Sequence, residues 1–225
     1  MATQYAFGKI VTNGLVLALN AADKNSYIGS GTIWRDLAGS NNGTLTNGPT
    51  FNSTNGGNFN FDGTDDYLVT NNFITLSSAS DWTIQTWISS KATSGGTAYL
   101  AFLGGNGDTS NNFFFFEWHD RIFSRNSVTG NFAFQTGFTP ALPLNNTIFL
   151  LTLINRSGNL ELYSNTTKTT VNIALSGNLS FNNIMRQRTG VSPGGNMYNF
   201  NLYNRALSEQ EVQQNYNAQK ARFGL

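Results

Sequence analysis

Residues 58–69 read Asn-Phe-Asn-Phe-Asp-Gly-Thr-Asp-Asp-Tyr-Leu-Val, and their alternation of large apolar with small polar side chains has a period of two. Successive side chains of a strand point to opposite faces, so Phe59 and Phe61 share one face while Asn58 and Asn60 take the other. The same period returns in 82–90, with Trp82, Ile84 and Ile88 on one side and Trp87 on the other, and in 197–204, where Tyr198, Phe200 and Leu202 alternate with asparagines. Segments 98–103, 112–118, 131–135, 147–154, 159–163 and 169–173 are further strand candidates. Asn42-Gly43, Asn47-Gly48 and Asp62-Gly63 supply turns, because glycine reaches positive φ without steric penalty. A chain of 225 residues patterned this way is expected to be all-β, a two-sheet antiparallel sandwich in one domain.

Three segments break the pattern. Gly14–Asn20 is apolar on both faces, which predicts a central strand. Phe113–Phe116 would be an aggregation hazard on a free edge, so it is expected inside a sheet or under another subunit. After residue 204 the period becomes helical. Ser208 and Glu211 have capping-box spacing, and Val212 and Tyr216, four apart, provide a packing face for one short C-terminal helix. Residues 1–13 show no internal partner and are expected to form an N-terminal arm, leaving 14–225 as the domain.

Composition excludes several function classes. Thirteen Lys+Arg against twelve Asp+Glu leave a charge of +1, and charged residues are 11% of the chain, far below the usual quarter or so. Its 32 asparagines imply a surface of uncharged polar groups. Such a surface attracts nucleic acid weakly, and the pairs Arg121/Arg125 and Arg186/Arg188 are too sparse for a phosphate-binding stripe. With no cysteine, neither disulfides nor thiolate-bound metals hold the fold. The N-terminus lacks the basic and apolar regions of a secretory signal, and no apolar run could span a bilayer. Synthesis in a cytoplasm without membrane insertion is therefore expected.

Six segments in order carry a family resemblance: Gly14-Leu-Val-Leu-Ala-Leu-Asn20, Trp34-Arg-Asp-Leu37, Asn42-Gly-Thr-Leu45, Phe61-Asp-Gly-Thr-Asp-Asp-Tyr-Leu68, Trp82-Thr-Ile-Gln-Thr-Trp-Ile88, and Tyr203-Asn-Arg-Ala-Leu-Ser208 before Glu211. Together they resemble the laminin-G-like, or concanavalin-A-like, jelly-roll domains of phage and bacterial proteins. The chain departs from that pattern at Asn20, where the family usually carries aspartate, and at Tyr163-Ser-Asn-Thr166, where a Tyr-x-Asn-Gly turn is usual. The resemblance implies two curved antiparallel sheets. It also implies a role among virion components, adhesion modules or carbohydrate binders. The expectation it supports is a non-enzymatic phage virion protein, a capsid decoration or a tail or fibre component. Its partners would be other virion proteins or symmetric copies of itself. The alternative is a carbohydrate-binding module that attaches the particle to a host-surface glycan.

Candidate sites follow from side-chain chemistry. Asp62, Asp65 and Asp66 offer hard oxygen ligands suited to Ca²⁺, against the competing reading that they cap a turn. Trp34, Tyr99, Asn106, Trp118 and His119 could line a sugar site, the rings covering C–H faces and the amide and imidazole meeting hydroxyls; each could instead be core or turn. His119 has no Ser/His/Asp arrangement around it. Glu117 and Glu161 stand alone in their strands, and Glu209 and Glu211 belong to the helix. The paired carboxylates of glycoside hydrolysis are therefore not expected, nor is any catalytic residue.

Overall fold

The computed structural model describes residues 9–91, 99–104, 113–117, 120–126, 130–186 and 192–225. Seventeen strands follow one another in these residues. They are β1 (Leu15–Asn20), β2 (Ile33–Trp34), β3 (Gly43–Thr46), β4 (Thr50–Asn52), β5 (Asn58–Asp62), β6 (Tyr67–Ser77), β7 (Trp82–Ser90), β8 (Tyr99–Gly104) and β9 (Phe113–Glu117). The series continues with β10 (Arg121–Asn126), β11 (Gly130–Thr136), β12 (Phe149–Arg156), β13 (Asn159–Ser164), β14 (Thr167–Ala174), β15 (Asn178–Ile184), β16 (Gly194–Met197) and β17 (Asn199–Tyr203). One α-helix, α1 (Glu209–Gln219), follows, and a 3-10 turn over Lys220–Phe223 continues it.

Every strand pairing is antiparallel, in two sheets. Sheet A runs β14-β13-β12-β7-β16-β5-β4, with β17 beside β7 and β1 outside β17; sheet B runs β11-β10-β9-β8-β15-β6-β3-β2. This is the expected two-layer β-sandwich with a short C-terminal helix. The alternation puts Phe59, Phe61, Trp82, Ile84 and Ile88 of sheet A in one core with Leu68, Leu76, Ile122, Phe181 and Ile184 of sheet B. Burying a side chain of this size contributes about 1.5–3 kcal/mol, so the inner layer dominates stability. Gly43 belongs to that layer for a steric reason, since a Cβ there would lie 2.6 Å from Leu68 Cδ1.

The reading of 14–20 as a central strand is corrected. Among the described residues β1 is an outer strand that pairs with β17 alone. Leu17 and Leu19 enter the core, the bulge between Leu15 and Leu17 turns Leu15 to the helix side, and Val16 stays 42% exposed. Asp36 of the Trp-Arg-Asp-Leu segment protects the free edge: its Oδ1 accepts the N–H of Ala18 at 2.9 Å, and the N–H of Leu37 donates to the Ala18 carbonyl at 2.8 Å. By contrast β9, with its four phenylalanines, lies inside sheet B between β8 and β10, as expected.

Helix α1 covers the outer face of sheet A. Trp87 projects there rather than into the core, stacked with Tyr216 at 5.7 Å and packed with Phe223 at 4.3 Å. The capping box forms as predicted, with Ser208 Oγ accepting from the Glu211 N–H. Much of the contact is polar. Asn215, 2% exposed, accepts the Val11 N–H at 2.7 Å and donates to Gln85 Oε1 at 2.6 Å and the Tyr203 hydroxyl at 3.0 Å. Gln85 passes the chain of bonds on to Thr152 Oγ1, and Tyr203 donates to the Val11 carbonyl.

The expectation of an arm over 1–13 is corrected for residues 9–13 at the same place, and residues 1–8 lie outside the described residues. Residues 9–13 do have internal partners: the Lys9 carbonyl accepts from Gln214, the Asn13 carbonyl accepts from Arg205, and Val11 is buried beside Val212. Truncation at residue 12 would therefore strip part of the fold instead of releasing a tail.

Arg205 and Glu211 lock the helix start through two parallel bonds of 2.8 and 2.6 Å. The arginine hydrogen bonds hold the Glu211 carboxyl down at about 2, below its ordinary 4.5. A depressed carboxylate contributes stability that is complete above the ordinary value and disappears as pH falls through 4.5 towards about 2. Glu211→Gln is therefore expected to flatten the acid limb of a Tm-against-pH curve in that window; an unchanged limb would place the acid sensitivity elsewhere.

Candidate ligand-binding face

With one outer face sealed by α1 and residues 9–13, the outer face of sheet B is the side of the sandwich left to consider. Its strands alternate cleanly. On β6, Leu68, Ile74 and Leu76 point inward, which leaves Tyr67, Val69, Phe73 and Thr75 outside. On β10, Ile122 and Ser124 are fully buried, so Arg121, Phe123 and Arg125 face outward. On β11, Ala133 is buried and Phe134 is 55% exposed. Phe123 and Phe134 lie opposite one another in register, edge to face with centroids 5.8 Å apart. The Arg186 guanidinium sits 4.2 Å above the Tyr67 ring, a contact that combines a cation with an aromatic face. Among the described residues no helix packs on this face, and Phe73 stands 52% exposed.

The sequence-derived sugar candidates fare differently. Trp34 is corrected: it is fully buried, its ring 4.7 Å from that of Phe59, so no ligand reaches it from solvent. Inward alternation on β2 decides this, because Ile33 takes the exposed side. Tyr99 is in β8, opposite Glu117 in register. Asn106, Trp118 and His119 lie outside the described residues. Phe123 was missed because 121–126 was not read as a strand, although Arg-Ile-Phe-Ser-Arg-Asn alternates; a period-two scan of that segment would have found it.

At one rim, between β5 and β6, Asp62, Asp65 and Asp66 come together, one carboxylate oxygen from each lying within 4.8 Å of the others. The bonds they make are those of a capped turn. Asp62 Oδ1 accepts the Thr64 N–H at 2.7 Å, and Asp66 Oδ2 accepts the Asp62 N–H at 2.9 Å. The Thr64 bond lowers the Asp62 carboxyl, whereas burial raises that of Asp66, with the Lys91 charge acting against the rise. The donor set suits a hard cation, and the turn closes on backbone amides by itself. Asn20, which stands where the family usually has aspartate, caps the Ala22 N–H and accepts from Arg222.

Elsewhere among the described residues, Glu161 and Glu211 are held in ion pairs. Glu161 meets Arg156 at 3.4 Å and Lys168 at 3.1 Å. The Tyr163 hydroxyl lies 3.5 Å from Glu161 and 3.4 Å from Glu209, its pKa driven up by burial and then by those two charges. Tyr163 is 2% exposed, so this grouping is part of the sealed side.

A family model described as the concanavalin A-like lectin/glucanases superfamily matches residues 62–213, more than half of the chain. The chain belongs to that superfamily. No curated protein matches this concanavalin A-like sandwich in sequence. Among solved structures, a Trypanosoma rangeli sialidase mutant with trans-sialidase activity is 13% identical, with a TM-score of 0.65 over 96% of this chain and 34% of its own. The binding domain of paraclostridial mosquitocidal protein 1 is 16% identical, with a TM-score of 0.64 over 92% of this chain and 52% of its own. The botulinum neurotoxin serotype D binding domain is also 16% identical, with a TM-score of 0.63 over 93% and 52%. The chain thus spans about a third of the sialidase and half of each toxin domain. At these identities the likeness is one of fold. No helix of the concanavalin A-like chain is long and apolar enough to cross a membrane among the described residues.

Proposed function

We propose that this chain is a non-catalytic recognition module that binds carbohydrate on the outer face of sheet B. The observation that carries the reading is the asymmetry of the sandwich. α1 and residues 9–13 seal one outer face, while the other presents Tyr67, Phe73, Phe123 and Phe134 among Ser, Thr and Asn side chains. Aromatic rings cover the C–H faces of sugars and uncharged polar groups meet their hydroxyls. The superfamily's lectins and the two toxin binding domains support the same direction.

A glycan array probed with the purified protein tests the proposal. Saturable binding that is reduced when Phe73 or Phe134 is replaced by alanine is expected; an array with no signal would remove the carbohydrate reading. Running it with and without Ca²⁺ tests whether the Asp62, Asp65 and Asp66 turn takes a cation. Placement of the module in a phage particle, as a capsid decoration or a tail or fibre component among symmetric copies, is the second part of the proposal, carried by the family resemblance. Mass spectrometry of purified particles tests it, and absence of the protein from them would end it.

A further inference from the structure

Strand β10 places Arg121, Phe123 and Arg125 in a row on the outer face of sheet B, because Ile122 and Ser124 between them are fully buried. The row is regular: alternate residues of a strand are roughly 6.7 Å apart, so the two guanidiniums start from Cα atoms about 13 Å apart with an aromatic ring between them. Phe134 on β11 widens that ring into a two-ring floor, set edge to face at 5.8 Å. Arg125 and Phe134 are both exposed. In the register of β9, Glu117 stands opposite Arg121 and Phe113 opposite Arg125.

From this juxtaposition we propose that the β10–β11 end of sheet B is the ligand platform, and that its ligand is an acidic polysaccharide. The inference rests on the carbohydrate reading above and narrows it. The phenylalanine pair offers apolar area to sugar C–H faces, and a guanidinium is built to take a carboxylate through two parallel hydrogen bonds. An open, strand-spaced surface suits an extended polymer lying across it better than a small molecule, which needs a concave site. Charge argues against the other occupants. A second copy docked about a two-fold axis would set this patch against itself, and neither β10 nor β11 carries an acidic residue to answer its arginines. A nucleic acid needs many more cations than this row supplies, in a chain with a net charge of +1.

The test compares the wild-type chain, Phe134→Ala and Arg125→Glu for binding to an oligogalacturonate, to a neutral dextran oligosaccharide and to oligo(dT). Phe134 and Arg125 are exposed surface residues, so the thermal unfolding of both variants is expected to match wild type. The expected result is salt-sensitive oligogalacturonate binding that weakens at least about tenfold in each variant, with dextran bound more weakly. Equal binding of dextran and oligogalacturonate, with Arg125→Glu unaffected, would overturn the acidic ligand and leave the carbohydrate reading standing. Oligogalacturonate binding indifferent to Phe134→Ala would overturn the location. Tighter binding of oligo(dT) than of either sugar would overturn the inference, and no binding to any glycan would take the carbohydrate reading with it.

Discussion

Asn215→Ala is expected to lower stability by about 3 kcal/mol, because it removes one small side chain and orphans three buried groups. The Val11 N–H loses its acceptor, Gln85 Oε1 loses its donor, and the Tyr203 hydroxyl loses the amide that donates to it. Each unmade bond at a buried polar group costs about 1–3 kcal/mol, and the groups are 8%, 1% and 0% exposed, too enclosed for water to take over freely. In a chain of this size that loss lowers Tm by about 6–12 °C. Burial has already pushed the Tyr203 hydroxyl up to about 12, so ionisation does not relieve the site near neutral pH. The exposed neighbour Gln213→Ala is the control, with a change inside about 0.5 kcal/mol. If both variants unfold at the wild-type temperature, apolar packing and the Arg205–Glu211 pair hold the helix and the Asn215 network is dispensable. Hydrogen exchange gives a second readout, since the Val11 amide, whose acceptor is Asn215 Oδ1, is expected to lose protection.

Trp34→Ala should cost about 3–5 kcal/mol, a large part of the 5–15 kcal/mol typical of a folded domain. The indole is wholly buried against Phe59, which in turn meets Tyr27 at 4.7 Å and Phe51 at 5.7 Å. Alanine leaves a cavity in the middle of that aromatic group. Trp34→Phe separates packing from hydrogen bonding. Trp34 Nε1 has no acceptor among the described residues, so phenylalanine removes an unpartnered donor, keeps most of the ring and is expected to cost roughly half as much or less. Denaturant unfolding of the two variants measures the difference. A Trp34→Ala protein of wild-type stability that loses glycan binding would reverse the assignment of this residue from core to ligand contact.

The layered architecture was legible because strand periodicity is a local property. Phe59 and Phe61, the split between Trp82, Ile84 and Ile88 on one side and Trp87 on the other, and the Ser208–Glu211 cap all appear in the structure as their spacing implied. Side-chain identity and alternation suffice for such assignments, since a one-residue slip would turn every large group outward. The edge position of β1 was less accessible. Two apolar faces read as a strand covered on both sides, whereas Val16 stays exposed and a bulge, which alternation does not reveal, turns Leu15 under the helix side.

What the chain alone determined, then, is which residues alternate, where turns and the helix cap fall, and that a charge-poor, cysteine-free sandwich is held without disulfides or thiolate-bound metals. Three matters waited for tertiary structure: that Asn215, Asn199 and Asn155 go inside in a protein whose asparagines look like surface, that Trp34 belongs to the core, and which sheet stays open. The reason is common to all three. A polar side chain is buried only when distant groups meet its donors and acceptors, and a ring is exposed only when nothing folds over it. Both conditions depend on partners tens to hundreds of residues away, such as Val11 for Asn215 and Phe59 for Trp34.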